Sequence, residues 1–391
     1  MDTLTIRPPV SFDVETQWGG FSMDRVRPNE YGRMEIVGFH SFDEGIPFYK
    51  LVDNFNGLAQ RAGVPPSMVD RMLVVLEPKR TTVYVNDMIP FTVQIRARRR
   101  IDAFEPVGMK DVAGVERINL TNISIPENAG FILLLSNSWR KAFFFDFRPL
   151  LPDQPIPIDY DVEVIGGQLL SHLIFTEYFL LSEADWDKTI AAGWFPFMHL
   201  VGDLWDGLFH SIRHDEDLNY PESQIYDSFS GVIDTKIEDW IRKDILRDEQ
   251  PFLSRAVDAY KRKDWVSVIS LISPRIEGII RRSVGSYGKH DKMVNDLETA
   301  IAGSIPHERS LLFPKQLARY FRETFLQFVD FSTPSDTLNR HTVAHGTVPG
   351  SSMDQSHGLR IMLLLDHLYY CLPNKSATER GVADEALDQS F

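Results

Sequence analysis

The chain has 391 residues, 43% of them hydrophobic and 25% charged, with 41 Lys and Arg against 55 Asp and Glu and a net charge of −14. That length holds two or three domains, and that composition is the globular average, which excludes disorder for most of the chain. The single cysteine, Cys371, excludes an intramolecular disulfide, a Cys-rich zinc site and an iron–sulfur cluster.

Residues 1–45 are rich in Pro, Gly and aromatics without a clear period, which predicts extended or irregular structure. Apolar spacing predicts a helix over 47–61, broken by Gly63-Val-Pro-Pro, and a second over 67–76. The period then changes to alternation. Residues 81–86 and 91–96 read as strands with a turn between them, followed by strands at 115–120, 131–135 and 141–147. The segment Ala142-Phe-Phe-Phe-Asp-Phe147 is bulky on both faces, as a strand inside a sheet would be. After a proline-dense stretch at 148–157 the pattern turns helical: 161–181, a capping box at Ser182 to Asp185, 198–213, and a long helix from near Pro221 to about residue 248. Further helices are expected at 252–263, 265–283, 291–301, 315–331 and 354–372, then a frayed tail. The expected class is α+β: a β-containing N-terminal module over 1–150, a helical connecting region over 151–250, an all-α module over 251–373 and a flexible tail over 374–391.

No apolar run approaches the ~18–20 residues that span a bilayer, and the acidic, proline-broken N-terminus is unlike a targeting peptide. The expectation is a cytoplasmic protein that does not engage a membrane. Net acidity argues against nucleic acid, but the charge is unevenly placed. Residues 251–371 carry 15 Lys and Arg against 12 Asp and Glu, residues 1–250 carry 24 against 39, and six of the eleven histidines fall in 251–371. Such asymmetry marks separate functional units.

The sharpest local signal is Asn339-Arg340-His341-Thr-Val-Ala-His345-Gly346. At about 100° per helical residue His341 and His345 share a face, while Arg340 lies about 140° from His345 and reaches round from the helix start. A guanidinium and two imidazoles in one turn suit phosphodiester chemistry. Arg binds two phosphate oxygens at once, and a His titrating near neutrality takes a proton from a ribose 2′-hydroxyl or gives one to a leaving 5′ oxygen.

Arg340-His341-Thr-Val-Ala-His345 resembles the Arg-x4–6-His motif of the HEPN superfamily, in the variant found in RNA-guided, RNA-targeting CRISPR effectors and in several toxin and abortive-infection proteins. The setting is similar as well: a helical run precedes the motif, LRIMLLLDHLYYCL follows it, and Pro274 to Arg282 looks like the helix packed opposite the motif. The resemblance covers roughly residues 251–373 and implies a HEPN-like helical bundle. It further implies a metal-independent endoribonuclease that needs no cofactor, works as a homodimer on RNA and leaves 2′,3′-cyclic phosphate ends. By that resemblance Arg340 clamps the phosphate, His345 is the acid/base and His341 an auxiliary, with Asn339, Glu277 and Arg281 as supporting residues. The acidic N-terminal region would then sense, inhibit or recruit a regulatory partner.

Other readings stay open. Arg340 could be a surface ion-pair partner and His345 a capped or core imidazole. The domain could also be an inactive HEPN-like module that dimerises and binds RNA, nucleotide or a partner protein. His210 and His214, at i and i+4 before Asp215-Glu216-Asp217, are weak candidates for a divalent metal, lacking the Glu that a metalloprotease needs after its first His. Arg96, Arg98 and Arg100 form a basic run at a strand end, readable as a phosphate track or as a charged edge. Trp194, Phe195, Phe197, Trp205 and Phe209 read as core rather than a base-stacking platform, and Cys371 as structural.

Overall fold

The computed structural model describes residues 7–13, 19–327 and 339–372. They divide into two compact units, the first made of the described residues within 1–107, 112–180 and 306–310, the second of those within 108–111, 181–305 and 311–372. The chain is α+β, with an N-terminal sheet and a helical C-terminal region.

In the first unit the elements are β1 (Val10–Asp13), β2 (Phe21–Ser22), β3 (Met34–Glu35), β4 (Val37–Ser41), α1 (Ile46–Arg61), β5 (Arg71–Glu77), β6 (Arg80–Val85), β7 (Phe91–Ala97), β8 (Val112–Leu120), β9 (Gly130–Asn137), β10 (Arg140–Asp146), α2 (Val162–Ile174) and α3 (Thr176–Phe179). Six strands form one antiparallel sheet in the order β1-β6-β5-β9-β10-β4, while β2–β3 and β7–β8 pair separately. Alternation divides the sheet's side chains between two faces. Met72, Val74, Ile132, Leu134, Phe143 and Phe145 pack with Phe48, Phe55 and Ala59 of α1. The opposite face carries Leu73, Leu133 and Phe144, and α2 packs on β8, β9 and β10. Burying a Phe such as Phe48 or Phe55 contributes about 1.5–3 kcal/mol, so α1 is held chiefly by this face.

Strand β10 lies inside the sheet between β9 and β4, as its two bulky faces require. The helix expected over 67–76 is not formed. A short 3-10 turn at Pro66–Met68 leads into β5, where Met72 to Leu76 are all buried. A five-residue apolar run fits a strand covered on both faces as well as it fits a helix, and the β-branched pair Val74-Val75 together with sheet partners on both sides decides for the strand.

The second unit is helical: α4 (Glu183–Ala191), α5 (Asp203–Arg213), α6 (Asn219–Trp240), α7 (Asp244–Arg247), α8 (Gln250–Lys261), α9 (Trp265–Val284), α10 (His290–Gly303), α11 (Pro314–Tyr320) continued by a π-helical turn at Phe321–Phe325, α12 (Arg340–Ala344) and α13 (Gln355–Cys371). The Ser182–Asp185 capping box starts α4 as the sequence predicts. The helix expected over 198–213 is interrupted, because Gly202 adopts φ +106, a region that L side chains avoid, and α5 begins only after it. The stretch 151–250 is shared, α2 and α3 lying in the first unit and α4 to α7 in the second.

Helix α13 is buried on nearly every side from Leu359 to Cys371, and α9 packs against α8, α10, α12 and α13. Trp194, Phe195, Phe197 and Trp205 are at most 2% exposed and belong to the core, and the half-buried Phe209 stacks on Trp205 at its edge. Cys371 is buried. The tail over 374–391 lies outside the described residues.

Candidate functional site

The site is built outward from Glu277, a carboxylate 6% exposed in α9. One helical turn on, Arg281 donates through Nε to Glu277 Oε1 at 2.8 Å. Its Nη1 donates to the carbonyls of Gly288 at 2.8 Å and Ser286 at 3.2 Å. Arg281 therefore fixes the short loop that follows the left-handed cap Gly285 (φ +64). That loop delivers His290, the first residue of α10, back to Glu277, with His290 Nε2 at 3.1 Å from Oε1.

The motif turn comes to the same carboxylate from another part of the chain. Asn339 caps α12: its Oδ1 accepts the N–H groups of His341 at 2.9 Å and Thr342 at 3.1 Å, and Thr342 Oγ1 accepts the Asn339 N–H at 3.0 Å. Asn339 is 4% and Thr342 0% exposed, so the cap is part of the packed interior. Capped in this way, α12 presents Arg340 at its first position, where Nε forms an ion pair with Glu277 Oε2. His341 follows, its ring set edge-on to that of His290 with centroids 4.9 Å apart. His345 ends the turn as its C-cap, its side chain exposed, and Gly346 at φ +65 stops the helix.

One buried carboxylate thus gathers Arg281, His290 and Arg340. Burial alone would raise the Glu277 carboxyl; the hydrogen bond from Arg281 and the charges of Arg340 and His290 outweigh it and hold the group below the usual carboxylate range. His341 moves the other way for a cation. Burial lowers its pKa, and the neighbouring His290, Arg340 and His345 lower it further against the pull of Glu277. His341 is accordingly a neutral imidazole near pH 7.

A cleft of about 480 Å³ opens beside this cluster, lined by the cations Arg281, Lys289 and Arg322 and by the imidazoles of His290 and His341, with Asp291 the acidic group on its wall. Arg340 faces a separate small cavity with Asn339, His357 and Arg360, and His345 lines neither. The structure therefore brings together Glu277, Arg281, Arg340 and His341, all singled out in the sequence, and sets His345 at the outer end of the same turn. His290, Lys289 and Arg322 line the cleft without belonging to any motif in the sequence. The signal was weak: His290 stands thirteen residues beyond Glu277 and joins it only because Arg281 folds the intervening loop.

The remaining candidates fare differently. His210 and His214 sit side by side at the exposed end of α5, ring centroids 4.3 Å apart, with His214 Nδ1 at 2.8 Å from the His210 carbonyl. Among the described residues no group of three or more His, Cys, Asp or Glu could hold a metal ion. The basic run at the end of β7 is largely paired within its own unit, Arg96 with Glu116, Arg99 with Glu105 and Arg100 with Asp102. Among the described residues no helix is long and apolar enough to cross a membrane.

Set against family models, curated proteins and solved structures, the chain matches none.

Proposed function

We propose that the C-terminal region, residues 251–373, is a HEPN-like helical domain and that it cleaves RNA without a metal through the turn Arg340 to His345. The observation that carries this reading is the anchoring of the turn. A buried acceptor cap at Asn339 and a buried carboxylate at Glu277 hold the Arg340 guanidinium in place, and the same capped turn sets the His341 imidazole in the wall of a cleft rich in Lys and Arg. Pre-set groups of this kind lower a barrier because they need not reorganise when charge develops. Arg340 offsets the charge on the phosphorane-like transition state, His345 transfers the proton, and His341 supports it. Two chains meeting at their motif turns form the working unit, and the acidic N-terminal part restrains access of RNA. The chemistry and cellular role are those of a toxin- or defence-type ribonuclease acting in the cytoplasm.

The test is cleavage of labelled single-stranded RNA by the full chain, wild type beside Arg340→Ala and His345→Ala. Both variants are expected to lose at least about 10²-fold in rate while retaining the fold by circular dichroism. Wild-type rates in both variants would overturn the assignment.

One observation favours a second reading, an inactive module that binds RNA or a partner: the Arg340 guanidinium is already paired with Glu277. Under that reading Arg340→Ala lowers the melting temperature and leaves RNA affinity unchanged, and neither wild type nor variant cuts.

A further inference from the structure

Cleavage of a ribose phosphodiester needs two proton transfers. One removes the 2′-hydroxyl proton as the 2′ oxygen bonds to phosphorus. The other protonates the 5′ oxygen as its bond to phosphorus breaks. The turn Arg340 to His345 sets its two imidazoles unequally: His341 is neutral and lines the cleft, while His345 stands at the turn's outer end. His290, outside the motif and about fifty positions earlier in the chain, lines the same cleft and meets His341 ring against ring at 4.9 Å.

The hydrogen bonding of His290 fixes its chemistry further. Glu277 is ionised, so it can only accept, and the His290 nitrogen 3.1 Å from it must carry a hydrogen. Nε2 is thereby committed to the buried carboxylate, and Nδ1 is the nitrogen left to exchange a proton with a ligand. A carboxylate behind an imidazole holds the ring in one orientation and fixes which nitrogen faces the ligand. The same carboxylate holds Arg340, so the phosphate clamp and the donor are referred to a single anchor.

We propose that His290 is a further catalytic residue of this site, the general acid that protonates the leaving 5′ oxygen of RNA bound in the cleft lined by Lys289, Arg322 and His341. This rests on the ribonuclease reading above. In the step, an imidazole of the motif turn takes the 2′-hydroxyl proton while the 2′ oxygen attacks phosphorus. His290 gives its Nδ1 proton to the 5′ oxygen as the P–O5′ bond breaks. The products are a 2′,3′-cyclic phosphate and a 5′-hydroxyl, and solvent then returns a proton to His290 and takes one from the motif imidazole. No oxidant, metal or second reactant enters.

The experiment compares wild type, His290→Ala, His290→Gln and His345→Ala, each as the full chain, on two dinucleotide-containing RNA substrates. One is ordinary RNA, and the other carries sulfur in place of the bridging 5′ oxygen, a leaving group that departs without a proton. Gln can still donate to Glu277, so His290→Gln separates loss of the acid from loss of the local fold. Both His290 variants are expected to lose about 10²–10⁴-fold on ordinary RNA and to regain most of it on the sulfur substrate. His345→Ala should stay slow on both. Wild-type rates for the His290 variants on ordinary RNA, with His345→Ala inactive, would overturn the role of His290 and leave the ribonuclease reading standing. Equal losses on both substrates would also overturn it, since the acid would then not be what was removed. Absence of cleavage by wild type would overturn both.

Discussion

Asp366 is 0% exposed in α13, where it accepts from Trp240 Nε1 at 3.0 Å and pairs with Lys236 Nζ at 3.0 Å. A buried pair adds little over a well-packed apolar alternative, but breaking it strands a charge. Asp366→Ala should therefore cost about 3–5 kcal/mol in denaturant unfolding, while Asp366→Asn, which still accepts from the indole, costs less. A midpoint unchanged in Asp366→Ala would refute this. The adjacent His367 is also fully buried, with Nδ1 accepting the Met198 N–H at 3.1 Å. Burial is the main reason its pKa is pushed down to about 4. The folded value lies below the ordinary 6.5, so the folded state binds fewer protons than the unfolded one. Stability from this site is complete above about pH 6.5 and falls by about 3 kcal/mol as the pH drops toward 4. His367→Gln should flatten the pH dependence of the unfolding midpoint over that interval.

At the scale of elements, the five-residue α12 is too short to stand on its own propensity. Its cap and the Glu277 ion pair hold it. Asn339→Ala is expected to cost about 1 kcal/mol and to speed hydrogen exchange at the His341 and Thr342 amides, the two donors that Asn339 serves. Unchanged exchange at those amides would remove the cap from the account. The sequence carried the end of this turn, because Gly346 is a local signal for a helix stop, but marked Asn339 only as a supporting residue and not as the cap that starts it. It misjudged β5, whose state depends on pairing with the neighbouring β6 and with β9 far along the chain, and not on its own period. It ran a helix through Gly202 for a similar reason: a left-handed φ is a property of the packed chain. In the site, the residues within one turn of a motif were legible. His290 and Lys289 were not, since a loop held by Arg281 brings them in.

Across the whole molecule, the described residues share a common response to acid. Burial is the leading reason that His172, His307, His341, His357 and His367 all have lowered pKa values. His40 is the opposite case: burial works against its charge, but Glu44 and Glu35 outweigh it and raise its pKa. Its contribution is present below pH 6.5 and is lost as pH rises through the raised value, yet it stands against five of the other sign. The chain should thus unfold at lower denaturant at pH 5 than at pH 7, and an equal or higher midpoint at pH 5 would contradict this. The broad α+β order was readable because a change from alternating to helical period survives without tertiary information. The division of 151–250 between the two units was not, because it follows which sheet face or helix bundle each helix covers.

The central claim is a metal-free cleavage driven by the motif turn. It is tested most directly by incubating the purified full chain with end-labelled single-stranded RNA in EDTA and identifying the new ends. The account predicts fragments ending in 2′,3′-cyclic phosphate and beginning with 5′-hydroxyl, formed by wild type and not by His345→Ala. Cleavage abolished by EDTA, or products ending in 3′-hydroxyl, would contradict it.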